Sequence, residues 1–154
     1  MIDYRAATQT DAGQLQGLLE EIMMDHGVAS PPPARLSATV ATILGSADHL
    51  FLVADDDSRL VGMCALLFSQ STWSAAPVCE LQDVVVTSTR RLTDVGRGLL
   101  THAEQIARSR GCARLFLLAE AWNLDAHTFY RRFGLSEKTC LYFERDLTGG
   151  RSSD

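Results

Sequence analysis

The 154-residue chain lacks the features of membrane-spanning, secreted and metal-binding proteins. None of its apolar runs approaches the roughly 20 residues that a helix needs to cross a bilayer. Its first residues, Met1 to Arg5, have neither the basic start nor the apolar stretch of a signal peptide. The four cysteines and four histidines are scattered, with no CxxC pair and no metal-ligand spacing. We therefore expect a cytoplasmic protein with reduced thiols, no membrane partner and no metal site.

An extended basic surface is also missing, although the charge is unevenly distributed. From Arg90 to Arg132 eight arginines stand against four acidic residues, whereas the whole chain has a net charge of −5. Nucleic-acid binding requires a broad basic face, so we expect no nucleic-acid partner. A local excess of arginine instead fits one small polyanionic ligand, and chance clustering of solvated arginines is the alternative.

Length and hydrophobic patterning predict one α/β domain. The chain is long enough for one ordinary core, and its 46% hydrophobic and 21% charged residues are typical of a globular domain. Segments of strand and helix periodicity alternate, which predicts helices packed on a mixed sheet. The predicted strands are 2–6, 49–54, 60–68, 78–86, 113–119 and 140–147; the predicted helices follow Thr10 or Asp11, Pro33, Asp94, and Asn123 or Asp125, and the last three end at Gly45, Gly111 and Gly134.

A strand, a basic turn and a helix start follow one another at residues 84–100. Val84, Val85 and Val86 predict a buried strand, and arginines follow at positions 90, 91 and 97. Such a junction directs unpaired backbone N–H groups and the positive end of a helix dipole at one point, where a phosphate binds well. An ordinary helix entry capped by Thr93 or Asp94 is the alternative.

Two motifs resemble those of the GNAT superfamily of acetyltransferases. The run Arg91 to Gly96 (RLTDVG), followed by Arg97 to Leu100 (RGLL), is similar to the family signature Gln/Arg-x-x-Gly-x-Gly/Ala. The run Asn123 to Leu135 (NLDAHTFYRRFGL) is similar to the family's Asn-x-x-Ala-x-x-Phe-Tyr-x-x-x-Gly-Phe. The resemblance implies an α/β GNAT fold, with a mixed central sheet flanked by about four helices. It would form a single domain over residues 1–147, with a flexible tail at 148–154.

The resemblance also implies acetyl-CoA as a co-substrate. Backbone N–H groups of the strand would hold the pantetheine and the acetyl oxygen, and the loop would hold the pyrophosphate. The cofactor-binding candidates are Val84, Val85, Val86, Arg91, Thr93, Asp94, Val95, Gly96, Arg97, Gly98, Asn123 and Tyr130.

Asp94 departs from the family pattern, which has a glycine at this position. A carboxylate adds bulk and repels a phosphate, so we expect Asp94 to turn outward as a helix cap. Arg90, Arg91 and Arg97 would then offset its charge. The alternative is a catalytically degenerate binding or regulatory module whose affinity for CoA is weakened by Asp94.

Acetyl transfer to an amine needs a neutral nitrogen and a proton donor for the leaving thiolate. Glu80 resembles the general base of histone-type members, and Asp83 is the second candidate. Strand alternation places Glu80 and Gln82 on one face and Asp83 on the other, unless a bulge intervenes. The resemblance implies Tyr130 as the general acid. The alternatives are an ion pair between Glu80 and an arginine, and a packing role for Tyr130.

These features together predict an N-acetyltransferase that moves an acetyl group from acetyl-CoA to a primary amine by direct transfer in a ternary complex. The acceptor would lie between the Pro31–Pro33 loop, the Ser69–Pro77 loop with Trp73, and the face of Glu80. The acidic N-terminal half favours a small cationic acceptor, such as a polyamine, an aminoglycoside or an amino-acid amine.

Two further expectations stay open. Nucleophilic catalysis through an acyl-cysteine at Cys79 or Cys64 is an alternative mechanism, although the sequence shows no Cys–His pairing that would activate the thiol. Many members of the family form dimers, so the resemblance allows a homodimer.

Overall fold

The computed structural model describes residues 1–149, and the chain divides into two compact units, Met1–Glu120 and Ala121–Asp154. The single domain over 1–147 stays a prediction, and most of the predicted tail, residues 150–154, lies outside the described residues. The strands are β1 (Asp3–Ala6), β2 (His49–Asp56), β3 (Arg59–Ser71), β4 (Ala76–Val86) and β5 (Leu115–Leu117), and the helices are α1 (Ala12–Asp25), α2 (Pro33–Leu44), α3 (Val95–Ser109) and α4 (Leu124–Phe133).

The sheet of the first unit has the order β1-β2-β3-β4-β5. The first four strands pair antiparallel, and β5 pairs parallel with β4, so the predicted mixed sheet is confirmed. The β2–β3 turn places Asp57 and Ser58 at φ values of 51° and 69°. Two consecutive residues in the left-handed region match the right-handed twist of a hairpin, which explains why the two strands follow each other so closely.

A buried ion-pair network anchors the start of α1 to the edge of the sheet. Arg5 on β1 donates to Asp11 at 2.8 and 3.0 Å and to Asp55 on β2 at 2.7 Å. The Asp11 carboxylate is buried and also accepts the backbone N–H of Thr8 at 2.7 Å. The Arg5 guanidinium, more than any other group, lowers the pKa of Asp11 to about 2.

The two faces of the sheet are covered by different helices. Leu15, Leu19 and Val40 from α1 and α2 pack on Phe51 and Met63 in one apolar cluster. Residues of alternate parity on the same strands, such as Leu52, Cys64 and Leu66, are equally buried and face the other side. This side is covered by α3, whose Leu99, Leu100 and Ala103 are buried.

Tyr4 on β1 packs directly over Gly98 on α3. A β-carbon at Gly98 would lie 2.0 Å from the Tyr4 hydroxyl oxygen. The Tyr4 ring stacks on His102 with centroids 4.5 Å apart, and His102 Nδ1 lies 2.8 Å from the Gly98 carbonyl oxygen. Gly98 is therefore required for close packing of the first strand on α3, whereas its predicted contact with the cofactor stays a prediction.

The second unit contains α4, which begins and ends as predicted. Asn123 Oδ1 accepts the N–H of Ala126 at 3.2 Å, and Gly134 ends the helix at a φ of 104°. The predicted closing strand at 140–147 is wrong, because these residues form no strand. A strand is stable only when it pairs with another strand, and the regular element described in this unit is the helix α4. Among residues 1–149 no helix is long and apolar enough to cross a membrane.

Candidate active site

A β-bulge in β4 determines where the predicted catalytic carboxylates point. Met63 pairs with Val85 and Ala65 with Gln82, so Asp83 and Val84 together oppose the single residue Cys64. Asp83 takes up the extra residue with a φ of 50°. A non-glycine residue in this region is strained, and such strain is concentrated at functional sites.

The bulge brings the carboxylates of Glu80 and Asp83 to the same face of the sheet. Ala65 belongs to the apolar cluster under α1 and α2, so its partner Gln82 faces that side. Glu80 is two residues earlier and pairs with Leu67, and therefore faces the same side. Simple alternation placed Asp83 on the opposite face, and this expectation is wrong because the bulge intervenes.

Asp83 lies in an open cleft of about 410 Å³ on that face. Such a volume is at the lower end of the range of small-molecule sites. Pro31, from the proline loop of the predicted acceptor site, lines the cleft. Trp73 does not, because it lies in the turn between β3 and β4 and is 98% exposed. The lining residues are Leu19, Met23, Pro31, Arg35, Leu36, Thr39, Val40, Ile43, Phe51 and Asp83.

The cleft walls change the acidity of Asp83. The carboxyl is open to solvent on one side, yet the surrounding walls desolvate its charged form and raise its pKa, while His49 and His26 act in the opposite direction. The Nε2 atom of His49 is buried without a hydrogen-bond partner among residues 1–149. A carboxyl with a raised pKa is better suited to accept a proton near neutral pH.

The start of α3 and the loop before it form a second candidate region. A 3₁₀ turn, Ser88–Arg90, connects β4 to a loop in which Leu92 has a φ of 62°. Asp94 occupies the N-cap position, but its side chain caps no N–H group of the helix. Instead Thr93 Oγ1 accepts the N–H of Val95 at 3.5 Å. The next amides, of Gly96 and Arg97, lie in the first turn, where helix N–H groups have no intrahelical acceptor.

Acidic residues already engage two of the three arginines expected to offset Asp94. Arg90 pairs with Asp56 at the end of β2. Arg91 pairs with Asp25 and, at 3.6 Å, with Glu21, both on α1. These side chains are partly exposed, so a polyanion can compete for the arginines at modest cost.

The outer edge of β4 leads from the cleft to this loop. β5 pairs with β4 only at Cys79, Glu80 and Leu81, whereas β4 continues to Val86. Thr87 donates its N–H to Val61 on β3 at 2.9 Å, so the amide of Val86 points toward the opposite edge. This edge offers backbone groups next to both Asp83 and the start of α3.

Cys64 and Cys79 lie on the other face of the sheet and are unsuited to nucleophilic catalysis. Cys64 and Cys79 are fully buried. Burial raises the pKa of the Cys64 thiol and raises that of Cys79 to about 12. A thiol needs its thiolate form to attack, so the geometry counts against the acyl-cysteine alternative.

Tyr130 and Asn123, the remaining predicted site residues, lie in the second unit on α4. Tyr130 is half-buried, and its ring centroid lies 5.3 Å from that of Phe129. The side chain of Asn123 acts as a helix cap. Their contacts with a cofactor stay predictions.

The match to known families decides the assignment. Residues 15–135 match the Acetyltransferase (GNAT) family. The chain belongs to this family. Its mixed sheet and helices are those of a GNAT fold, so the family and fold class predicted from the two motifs are confirmed.

The most informative relatives are two acetyltransferases. The chain is 29% identical over 100 residues to thialysine N-epsilon-acetyltransferase of Bos taurus, with 58% of each chain covered. It is 33% identical over 86 residues to streptothricin acetyltransferase of Streptomyces lavendulae, covering 56% of this chain and 43% of that protein. The chain thus spans about half the length of the curated relatives it matches.

A solved GNAT structure matches most of the chain. AAC(6')-Iy in complex with a CoA bisubstrate analogue aligns with a TM-score of 0.82 at 18% identity, covering 95% of this chain and 98% of that one. At this identity the likeness shows the fold alone.

Sequence reasoning missed the polar residues that complete the cleft. Arg35 and Thr39 lie on the exposed side of α2, where their type and spacing are those of any solvated helix face. The sequence pointed to this region only through the Pro31–Pro33 loop, which was predicted to border the acceptor site.

Proposed function

We propose that this chain transfers the acetyl group of acetyl-CoA to the primary amine of a small molecule, by direct transfer in a ternary complex. The two curated relatives are named for acetyl transfer to thialysine and to streptothricin, and AAC(6')-Iy is described with a CoA-containing analogue. These names support an acetyl-CoA-dependent N-acetyltransferase acting on a small amine.

One observation carries the proposal: a single strand, β4, serves both the cleft and the loop. At its bulge Asp83 lines the cleft, and its unpaired outer edge then runs to the amides at the start of α3. An acceptor in the cleft and a donor along the edge would therefore meet beside Asp83. Holding two reactants in this way removes much of the entropic cost of a bimolecular reaction.

The residues that fit the donor are those of the edge and the loop. The amides of Val84 and Val86 suit pantetheine, and the first turn of α3 with Arg97 suits the pyrophosphate. Asp94 opposes this fit through its charge, but it is exposed and can face solvent. Acetyl-CoA supplies the activated thioester.

Asp83 is the base that the cleft geometry favours, and Glu80 on the same face is the second candidate. An alkylamine with a pKa near 10 is only about 0.1% neutral at pH 7, so removal of its proton matters. The amine nitrogen forms a bond to the acetyl carbon, the carbon–sulfur bond breaks, and Asp83 takes the amine proton. The thiolate takes a proton from Tyr130, a role that rests on the motif around it.

Isothermal titration with acetyl-CoA, followed by detection of CoA release across a panel of primary amines, tests the proposal. We expect saturable binding and amine-dependent release. Absence of binding at millimolar acetyl-CoA would contradict it.

The Cys79→Ser and Cys64→Ser variants test the acyl-cysteine alternative. Both should retain amine-dependent CoA release, and loss of this release in folded variants would favour an acyl-cysteine intermediate.

A second candidate function is a GNAT-like binding or regulatory module without turnover. The observation that favours it is the loop itself, in which Asp94 replaces a glycine while Arg90 and Arg91 are engaged by acidic residues. Asp94→Gly separates the two. A large gain in CoA affinity over a native protein that binds weakly would favour the module, whereas tight native binding unchanged by the substitution would exclude it.

A further inference from the structure

The walls of the cleft are predominantly apolar. Six of the side chains that line it are aliphatic, thioether or aromatic groups, and a seventh is a proline. Burying such walls is favourable only for a ligand with an apolar body, because the gain grows with the apolar surface removed from water. A polyhydroxylated amine would leave its own hydroxyl groups without partners there. The apolar set is Leu19, Met23, Pro31, Leu36, Val40, Ile43 and Phe51, with the methyl group of Thr39.

The cleft has one charged group of each sign. Asp83 projects from the sheet, and Arg35 projects from the first turn of α2. Among residues 1–149 neither side chain forms a salt bridge. The charged lining is therefore neutral in sum, with a cationic group on the helical side and an anionic group on the strand side.

Asp83 is the acidic residue in the lining of the cleft, and five other acidic residues of the N-terminal half are paired with arginines. Asp11 and Asp55 are paired with Arg5, and Asp56 is paired with Arg90. Glu21 and Asp25 face Arg91. The acidic composition that favoured a cationic acceptor is therefore not concentrated in the cleft, where Asp83 is the carboxylate of the lining.

We propose that the acceptor is a primary amine on an apolar body that ends in an anionic group. The amine lies at Asp83, the apolar body lies on the walls of α1 and α2, and the anionic group pairs with Arg35. The proposal rests on the proposed function, because it names the acceptor of the same site. It replaces the polyamine and aminoglycoside expectation with an amino-carboxylate.

Three amines with the same apolar chain test this assignment. Aminohexanoate, hexylamine and hexanediamine share one amine and differ at the far end, which is anionic, neutral or cationic. With saturating acetyl-CoA we expect kcat/KM to fall in that order, by about fivefold at each step, the size of a partly exposed ion pair. Equal values, or preference for the diamine, would overturn the proposal.

Charge reversal at Arg35 is the sharper test of the ion pair with the acceptor. Arg35→Glu should invert the ranking, so that hexanediamine exceeds aminohexanoate while hexylamine changes little. Arg35 is exposed, so the substitution leaves the core intact. Arg59→Glu changes the net charge equally at an exposed position outside the cleft and should keep the native ranking. Inversion in both variants would mean that net charge, not the cleft, sets the preference.

Binding of the three amines without acetyl-CoA separates the two levels of the proposal. Protein-observed NMR titration should give the same ranking, with the largest shifts at cleft residues. If this ranking holds but acetyl-CoA neither binds nor turns over, the proposed function fails and the cleft assignment stands. If turnover occurs with the reverse ranking, the cleft assignment fails and the function stands.

Discussion

The two faces of one sheet use the same strands in opposite ways. On the α3 face, alternate residues of β2, β3 and β4 are closed under the helix, and even Cys64 and Cys79 are sealed from solvent. On the α1 and α2 face, the bulge at Asp83 interrupts the packing and leaves a cleft. Burial makes the thiols inert, whereas partial desolvation makes the carboxyl a better base. A single irregular pairing between β3 and β4 therefore distinguishes the face with the cleft from the closed face under α3.

The largest expected effect is that of Asp83→Asn on the open face. Asparagine tolerates a positive φ, so the bulge should persist. Without a base we expect kcat to fall by about 100-fold or more, with acetyl-CoA affinity unchanged. Steady-state kinetics with aminohexanoate and calorimetry check both parts. A drop in Glu80→Gln with full activity in Asp83→Asn would move the base to Glu80.

The same substitution should raise stability while it lowers activity. The pKa of Asp83 is raised in the folded state, so its ionisation opposes folding, and stability is lost as pH rises through that pKa. The Asp83→Asn variant has no carboxyl to ionise, so it does not lose this stability as pH rises. Thermal unfolding at neutral pH should give a higher Tm than the native protein, and a lower Tm would show that the carboxylate is stabilised where it lies.

The next effect concerns the anchor of the open face, Asp11. Its pKa is lowered from 3.8 to about 2, which corresponds to about 2 kcal/mol of stability at neutral pH. This stability is present above the ordinary carboxyl pKa and is lost as pH falls toward 2. Asp11→Asn should be less stable by that amount at pH 7 in urea denaturation, with the difference shrinking in acid. A constant difference at all pH values would contradict the ion-pair origin.

On the closed face, Gly98→Ala should force Tyr4 away from α3. The added methyl group meets the Tyr4 ring, and we expect a net loss of about 1 kcal/mol after the gain in helix propensity. A double-mutant cycle provides the control. In a Tyr4→Ala background the same change should stabilise the protein, and a loss there would mean that another contact excludes the methyl group.

The smallest effect is expected at Leu92, in the loop between the two faces. Leu92 is exposed and has a positive φ that costs a side chain about 1 kcal/mol. Leu92→Gly relieves this cost and should stabilise the protein by only about 0.5 kcal/mol, because the greater freedom of glycine in the unfolded chain offsets part of the gain. Leu92→Ala keeps the β-carbon and should gain nothing. Equal gains in both variants would point to the exposed apolar side chain.

Local patterns predicted most of the helices and strands but not the register of the sheet. Helix α4 could be predicted because its cap and its terminal glycine lie within the same short run as its periodicity. The face of Asp83 could not, because a bulge depends on how β3 pairs with β4 and not on the period of either strand. The false strand at 140–147 has the same cause, since its apolar residues favour a strand but pairing decides.

The candidate site shows the same division. The candidate phosphate loop before α3 could be recognised because its residues are contiguous. The partners of Arg91 were not, since Arg91 and Asp25 are 66 residues apart and no local signal joins them. Arg35 reaches the cleft only because α2 packs on the sheet beside Asp83, so neither its charge nor its spacing could reveal it.

The role of Asp83 is tested most directly by a pH titration of its carboxyl carbon by NMR, without and with aminohexanoate. We expect a midpoint above the ordinary value of 3.8, since the cleft walls disfavour the charge. Added amine should lower that midpoint, because an ammonium group beside the carboxylate favours its ionised form. A midpoint at or below 3.8 that does not move with the amine would contradict this role of Asp83.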